Sequence, residues 1–557
     1  MSTPSKKKRK NQSASQQSEP STSKSIIDAT ARDECPSGIA LEAGKVLYFE
    51  GKAQISVTRG AIWLNGTFLE AGSAKTAICA DTVLGGALPI EAVPSGTQVP
   101  HPHQDVQITF HPPVEPGAST TASNTNGGSS AGDRWWVLPD GARAAPHIPQ
   151  DWREAAAGVS AAIAEVCAAG RSGGRAVAVA GAKGTGKSSF ARLLANSLLN
   201  HVQRVAWLDA DCGQPEFTVP GLVSLTYVDC PIYGLPHMHQ RAPAQARFVG
   251  QLSPERDPIA YKGAVEELLT WHAAHHASTP LIINTCGWIK GLGLDLLADL
   301  LQTARPSHVV LLQTANVRRN LPAEPFWAAR AGPGQVPAPA STILLLQAVG
   351  QLHSDEAAAT AQKLPGTPAA PKKLTAAETR SLSWLVWAHD LLRLPTSGVR
   401  WEAETLAAAA RGLAAHTPYS VRLSDVAVEV LHVSLPPNQL GYVLNGALVG
   451  LCSRPHRADT DSLQSTGQGD TVCMGVGIVR AVDIAQCRAY VLAPLDLSSM
   501  QKINVLQVGR LELPPELLQS GPVVSPYLST WSIGTAGTGA GAIKSRNNLV
   551  RAAQLIT

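Results

Sequence analysis

Hydrophobic positions along the chain change period several times, and the changes mark out its organisation. Between residues 26 and 115 apolar and polar residues alternate in short runs, among them 46–50 (VLYFE), 53–57 (AQISV) and 61–65 (AIWLN), with glycines between them. That pattern predicts a small β domain of short strands joined by turns. Residues 151–169 carry apolar positions at helical spacing, and continuous apolar runs follow at 176–180 (AVAVA), 204–208 (RVAWL), 280–284 (PLIIN) and 308–312 (HVVLL). Helical patterns at 187–199 and 292–304 separate them. Buried strands alternating with helices predict a mostly parallel, doubly wound α/β sheet. Thr375-Ala-Ala-Glu378 has the form of a capping box and opens a helix running to about residue 392. From about residue 418 strand patterns return, at 426–430, 441–445, 472–479, 489–492 and 503–508, and predict a C-terminal β-rich domain.

Other stretches lack a period. Residues 1–25 are rich in Ser, Lys and Gln and read as a disordered tail, because they hold too few apolar groups to offset ordering entropy. Residues 116–134 are a flexible linker by composition. Residues 323–371 are Pro- and Ala-rich, interrupted by one apolar run at 342–346, and read as a partly disordered insertion; residues 454–470 read as a polar loop. The expected layout is a tail (1–25), an N-terminal β domain (26–115), a linker (116–134), an α/β domain (135–415) and a C-terminal β-rich domain (416–557). A chain of 557 residues needs several cores in any case.

Composition narrows the function classes. No apolar run reaches membrane-spanning length, so no membrane partner is expected. The nine cysteines include no Cys-x-x-Cys pair, which argues against a structural zinc site or a disulfide framework and fits a reducing compartment. Formal net charge is +4, but five positive charges sit in Lys6–Lys10, so the remainder is close to neutral. Any nucleic-acid contact must then come from a local groove. The KKKRK run itself has the form of a basic nuclear import signal.

The candidate chemistry is concentrated after the first core strand. Residues 181–188 (GAKGTGKS) match Gly, four residues, Gly-Lys-Ser/Thr between a strand and a helix, the setting in which backbone N–H groups at a helix N-terminus cradle a polyphosphate. Gly181, Ala182, Lys183, Gly184, Thr185, Gly186, Lys187, Ser188 and Ser189 are therefore the expected ATP-binding residues, with Lys187 reaching the phosphates and Ser188 ligating Mg²⁺. The second core strand ends in Asp209-Ala-Asp-Cys-Gly-Gln-Pro-Glu216, which places two carboxylates at the strand end where open α/β sheets bind ligands. One can hold Mg²⁺ through water while the other accepts a proton from an attacking hydroxyl. A guanine-reading Asn-Lys-x-Asp motif and a transporter signature are both missing from the sequence.

In combination these motifs resemble the polynucleotide 5′-hydroxyl kinase family, which includes the nucleolar pre-rRNA processing kinases and the RNA kinase subunit of the cleavage and polyadenylation machinery. The resemblance rests on residues 181–188, on Asp209 to Gln214, on Thr285-Cys-Gly-Trp288 and on the Ser-Pro segment within 247–258. Arg319-Asn-Leu-Pro322 and residues 441–452 and 473–480 look like the nucleolar branch. It implies an α/β P-loop NTPase core flanked by N-terminal and C-terminal β-rich domains, and a kinase that passes the γ-phosphate of ATP to the 5′-hydroxyl of RNA. Lys187 would bind the transferred phosphate. Asp211 is the preferred base with Asp209 its competitor, and Asp209 is otherwise assigned with Ser188 to Mg²⁺. Gln214, Thr285 and Trp288 would meet the RNA, Trp288 by stacking a terminal base. Arg380 resembles the arginine of the family lid, but its expected partner is replaced by Ala or Glu in the preceding turn; Lys373 is the candidate substitute. Arg318 and Arg319 stay unassigned. The resemblance also implies a partner endonuclease that leaves 5′-hydroxyl ends in the second internal transcribed spacer, and a nuclear, nucleolar site of action. The alternative is a non-catalytic ATP-binding assembly subunit: the altered lid argues for it, and intact Lys187, Ser188, Asp209, Asp211 and Trp288 argue against it.

Overall fold

A computed structural model describes residues 24–25, 33–34, 38–80, 88–93, 105–112, 135–138, 148–171, 173–328, 341–349, 374–395, 399–432, 436, 439–455 and 471–518. The basic run Lys6–Lys10, the linker 116–134, Lys373 and most of the stretches 323–371 and 454–470 lie outside these residues.

Among the described residues, three sheets carry the structure. The central one has seven strands in the order Gln245–Phe248, Leu222–Val228, Val205–Asp209, Leu281–Asn284, Ala176–Gly181, His308–Gln313 and Thr342–Gln347. The five from Val205–Asp209 to Thr342–Gln347 run parallel, and the first two extend the sheet antiparallel. Strand residues bury on both faces. Ala178, Leu208, Ile283 and Leu311 pack under the helices Pro258–His276 and Leu292–Ala304, while Val177, Trp207, Ile282 and Val310 pack under Gln150–Ala168 and Lys187–Leu199. Continuous apolar runs suit strands covered on both sides. The run at 342–346, expected inside an insertion, is instead the outer parallel strand, because its register with His308–Gln313 lets Leu346 reach the core.

The N-terminal sheet corrects the expectation of separate short strands. Residues 46–50 and 53–57 belong to a single strand, Val46–Arg59, which bonds different partners along its length. Gly51 makes no turn, because Ala80 and Trp135 pair with it across the sheet. Two boundaries also shift. Lys24–Ser25, expected in the tail, pair with Ile39 and Ala40, and Trp135–Leu138, expected in the α/β domain, pair with residues 48–51. In both, an extended segment takes up backbone groups that a sheet edge would leave unpaired.

This sheet docks on the helix that follows the phosphate loop. The amide Nδ2 of Asn196 donates to Asn65 O (2.8 Å) and that of Asn200 to Gly66 O (2.8 Å), while Phe68 N–H donates back to Asn200 Oδ1 (3.1 Å). Arg153 of the preceding helix forks onto the Glu91 carboxylate and stacks 4.2 Å from the Trp63 ring centroid.

The C-terminal sheet runs Tyr419–Arg422, Arg488–Leu492, Val472–Asp483, Leu448–Ser453, Val505–Val508, Ala427–Val430, antiparallel except for the last pair. Of residues 441–445, expected as a strand, the first four fall in a short helix, Leu440–Leu444, which Asn445 caps. Val443, Leu444 and Ala447 bury together, and with Leu440 they follow helical rather than alternate spacing. The helices Ala376–Leu391 and Ala403–Ala415 share a hydrophobic cluster with this sheet, and Trp387 Nε1 donates to Val476 O at 3.0 Å. The sheet meets the central one where Gly450 packs on Phe248, with no room for a side chain: a β-carbon there would lie 2.5 Å from Phe248 Cγ. Gly450→Ala is accordingly expected to destabilise the protein by about 1–3 kcal/mol through overpacking, read as a lower denaturant midpoint.

Candidate active site

The phosphate loop joins the strand Ala176–Gly181 to the helix Lys187–Leu199, and its last glycine sets the geometry. Gly186 stands at φ 96°, and a β-carbon on it would lie 2.8 Å from the ring of buried Trp152. The helix therefore starts with its N–H groups directed into the loop. On the far side Gly287 lies against Lys183, where a β-carbon would come within 2.8 Å of the Lys183 Cα. Arg319 Nη2 donates to the Lys183 carbonyl at 3.0 Å, so this arginine braces the loop, a role its sequence position did not reveal.

A cleft of about 530 Å³ opens above the loop. It gathers Lys183, Gly184, Gly186, Lys187, Ser188 and Ser189 with Asp211, Gln214, Trp288 and Arg380, four groups drawn from three other places in the chain. Lys187 is buried and its Nζ donates to Ala182 O at 3.1 Å. Burial lowers its pKa, against the opposing charge of Asp211. Arg380, on the second turn of the helix opened by the Thr375–Glu378 capping box, is pulled down by burial and supported by the same Asp211 charge. Asp211 thus acts on both cations from within the cleft. Its Oδ1 accepts the N–H groups of Gly213 and Gln214, each at 3.1 Å, which fixes the carboxylate on its own turn.

Asp209 has a different environment. It is 1% exposed and does not line the cleft. Its Oδ2 accepts Glu216 N–H, and its Oδ1 accepts Asn284 Nδ2 at 3.2 Å. The same Asn284 Nδ2 lies 3.3 Å from Ser188 Oγ. Burial pushes the Asp209 carboxyl well above the usual carboxylate range, despite the Glu216 N–H that favours its charged form. The donor set fits a magnesium ion: the Ser188 hydroxyl and the Asp209 carboxylate are hard oxygens, held near each other through the Asn284 amide.

Thr285 departs from its expected role. It is 1% exposed, its hydroxyl donates to Val179 O at 2.9 Å, and it does not line the cleft. It ties two neighbouring core strands together below the loop, and its neighbours Cys286, Gly287 and Trp288 meet the cleft instead. Residues 252–254 and Leu235–Pro236 also form walls. For the first, the Ser-Pro segment was a visible signal; for the second the sequence held none. Behind the acidic motif Glu216 is fully buried. Burial would raise its pKa, but Arg192 and His239, whose Nε2 is 2.8 Å away, hold it below its ordinary value.

The family model described as mRNA cleavage and polyadenylation factor CLP1 P-loop matches residues 181–325, and that described as NOL9-like, C-terminal domain matches residues 414–514. The polynucleotide 5′-hydroxyl-kinase NOL9 of Arabidopsis thaliana is 32% identical over 395 residues, 69% of this chain and 96% of that protein. The chain belongs to the NOL9 polynucleotide 5′-hydroxyl-kinase family. The Danio rerio member is 30% identical over 378 residues, 65% of this chain, and the match spans half of that longer protein. A solved wild-type Clp1p–Pcf11p complex contains a similar chain, 15% identical with a TM-score of 0.48, the match covering 87% of this chain and 99% of that one. In this NOL9-family chain the two acids of residues 209–211 are split, Asp211 into the cleft and Asp209 beneath it.

That split has a measurable consequence. An acid whose pKa rises on folding weakens the fold as pH climbs from the ordinary carboxylate range through its folded-state value, since the folded chain holds the proton more tightly than the unfolded one. Asp209→Asn is expected to melt higher than wild type at neutral pH, with the advantage shrinking as pH falls toward about 4; parallel melting curves from pH 4 to 8 would check it.

Proposed function

We propose that the chain transfers the γ-phosphate of ATP to the 5′-hydroxyl end of RNA, in the processing of pre-rRNA at the second internal transcribed spacer. The observation that carries this reading is the joint presence in one cleft of the phosphate loop, a carboxylate on the acceptor side and a flat aromatic side chain. A phosphate loop by itself serves many reactions. Asp211 and Trp288 beside it support a hydroxyl acceptor that carries a base.

In this mechanism the loop N–H groups hold the phosphates and Lys187 leaves the Ala182 carbonyl to reach the γ-phosphoryl oxygens. Asp211, held by its own turn, takes the proton of the 5′-hydroxyl as that oxygen bonds to phosphorus and the bond to the ADP leaving oxygen breaks. Arg380 lies where charge spreads over the transferring group and stabilises it. Ser188 and Asp209 would hold Mg²⁺, which neutralises phosphate charge when bound. Gln214 lines the acceptor side, and Trp288 offers its face to the terminal base without reading its identity. The family names its members as kinases, and the intact Lys187, Ser188 and Asp211 favour transfer over a passive assembly role. The partner in this reading is an endonuclease that leaves 5′-hydroxyl ends, and Lys6–Lys10 supports nuclear import toward a nucleolar site of action.

Labelled γ-phosphate should appear on a short 5′-hydroxyl RNA with wild type, and on neither a 5′-phosphorylated RNA nor any RNA with Lys187→Ala. Label absent from the wild-type reaction, with ATP bound and the endonuclease supplied, would remove the kinase reading. Trp288→Ala is expected to cost about 1–3 kcal/mol of RNA contact, roughly 5- to 150-fold in KM for RNA, while ATP binding is spared. Equal loss of both would make Trp288 a packing residue.

A further inference from the structure

One wall of the cleft is the loop of residues 250–257, which supplies Leu252, Ser253 and Pro254. It is poorly held by its own contacts. Ser253 Oγ accepts Glu255 N–H at 3.4 Å, and Gln251 is buried with neither of its amide atoms hydrogen-bonded. The loop is gripped from outside, by chain just beyond two adjacent strands of the C-terminal sheet. Past Val505–Val508, Arg510 N–H donates to Gly250 O at 2.6 Å. Past Ala427–Val430, His432 sets one ring nitrogen 3.2 Å from Val249 O and the other 3.0 Å from Asp257 Oδ2. Val249 precedes the loop and Asp257 ends it, so one imidazole spans both ends.

Each end is in turn fixed to something rigid. Val249 N–H donates to Gly221 O at 2.9 Å, and the other Asp257 oxygen caps the helix Pro258–His276 through Ala260 N–H at 3.0 Å. His432 is held at φ 69°, a left-handed conformation uncommon outside glycine, with Leu431 N–H bonded to Val508 O at 2.9 Å beside it. Both partners of the ring are acceptors, a backbone carbonyl and a carboxylate. The middle of the loop bears on the acidic motif: a β-carbon on Gly213 would lie 2.5 Å from Leu252 O. A loop that moved would therefore move against the turn that holds Asp211.

We propose that His432 is a positioning residue for the acceptor side of the cleft, a clamp by which the C-terminal sheet sets the loop 250–257 for RNA. It acts through the loop and does not line the cleft itself. The inference rests on the kinase reading for its substrate and on hydrogen-bond geometry for the clamp.

In the full chain, His432→Ala should raise KM for a 5′-hydroxyl RNA about tenfold, with ATP binding and kcat little changed. Amide exchange within residues 251–256 should quicken about tenfold while the helix Lys187–Leu199 exchanges as before. Asp257→Ser keeps the helix cap and loses the clamp acceptor. It should give both effects, and combining it with His432→Ala should add little, because the contact that it breaks is already lost in the alanine variant. His432→Asn tolerates the left-handed backbone but cannot span both acceptors, and it should behave as His432→Ala does even if the alanine variant folds poorly. Unchanged exchange in residues 251–256 would overturn the clamp. Additive effects, or ATP affinity lost in step with RNA use, would make His432 a packing residue and overturn its positioning role. A wild-type chain that transfers no phosphate would sink the kinase reading alone, and the exchange result would still decide the clamp.

Discussion

Backbone N–H groups can converge on a phosphate only while the loop that carries them is held from behind, because a loop of glycines has no stiffness of its own. Every side of residues 181–188 is accordingly braced. Trp152 fills the space beneath Gly186, the backbone at Gly287 lies against Lys183, and Arg319 bonds the Lys183 carbonyl. Thr285 ties the neighbouring strand to Val179, just before the loop begins. Asn284 links Ser188 to Asp209. Most of these supports come from residues 284–319, at least 96 positions beyond the loop.

The flanking sheets divide the remaining work. The N-terminal sheet stiffens the helix that follows the loop, through Asn196 and Asn200, and the helix before it, through Arg153. The C-terminal sheet bears on the opposite wall of the cleft, the one that we propose receives the acceptor. It carries the helix bearing Arg380 on a shared apolar cluster, and it grips the loop beside Gly213 through His432 and Arg510. The phosphate loop's flank and the opposite wall of the cleft are thus braced by different sheets.

Two carboxylates two residues apart illustrate how environment, rather than residue type, assigns chemistry. Asp211 stays in the cleft between Lys187 and Arg380, its carboxylate oriented by N–H groups of its own turn. Asp209 is sealed beneath, where burial penalises its charge unless a cation joins it. A strand's side chains alternate and a turn's do not, so the strand end sends one acid under the sheet surface and the turn carries the other out.

The amino-acid pattern alone makes legible the α/β core, the phosphate loop, the acidic motif and the capping box ahead of Arg380, because each rests on contacts among neighbouring residues whose spacing is read directly. It determined the β character of both flanks as well, though not the merging of residues 46–59 into one strand or the helix at 440–444, where tertiary pairing and burial override local period. The packing of distant segments settled which candidates meet. It turned Thr285 inward, put Arg319 on the loop, joined the run at 342–346 to the sheet, and brought His432 to a loop some 175 residues earlier in the chain. Such contacts depend on how sheets pack against one another, and packing between distant segments leaves no periodic trace in the chain.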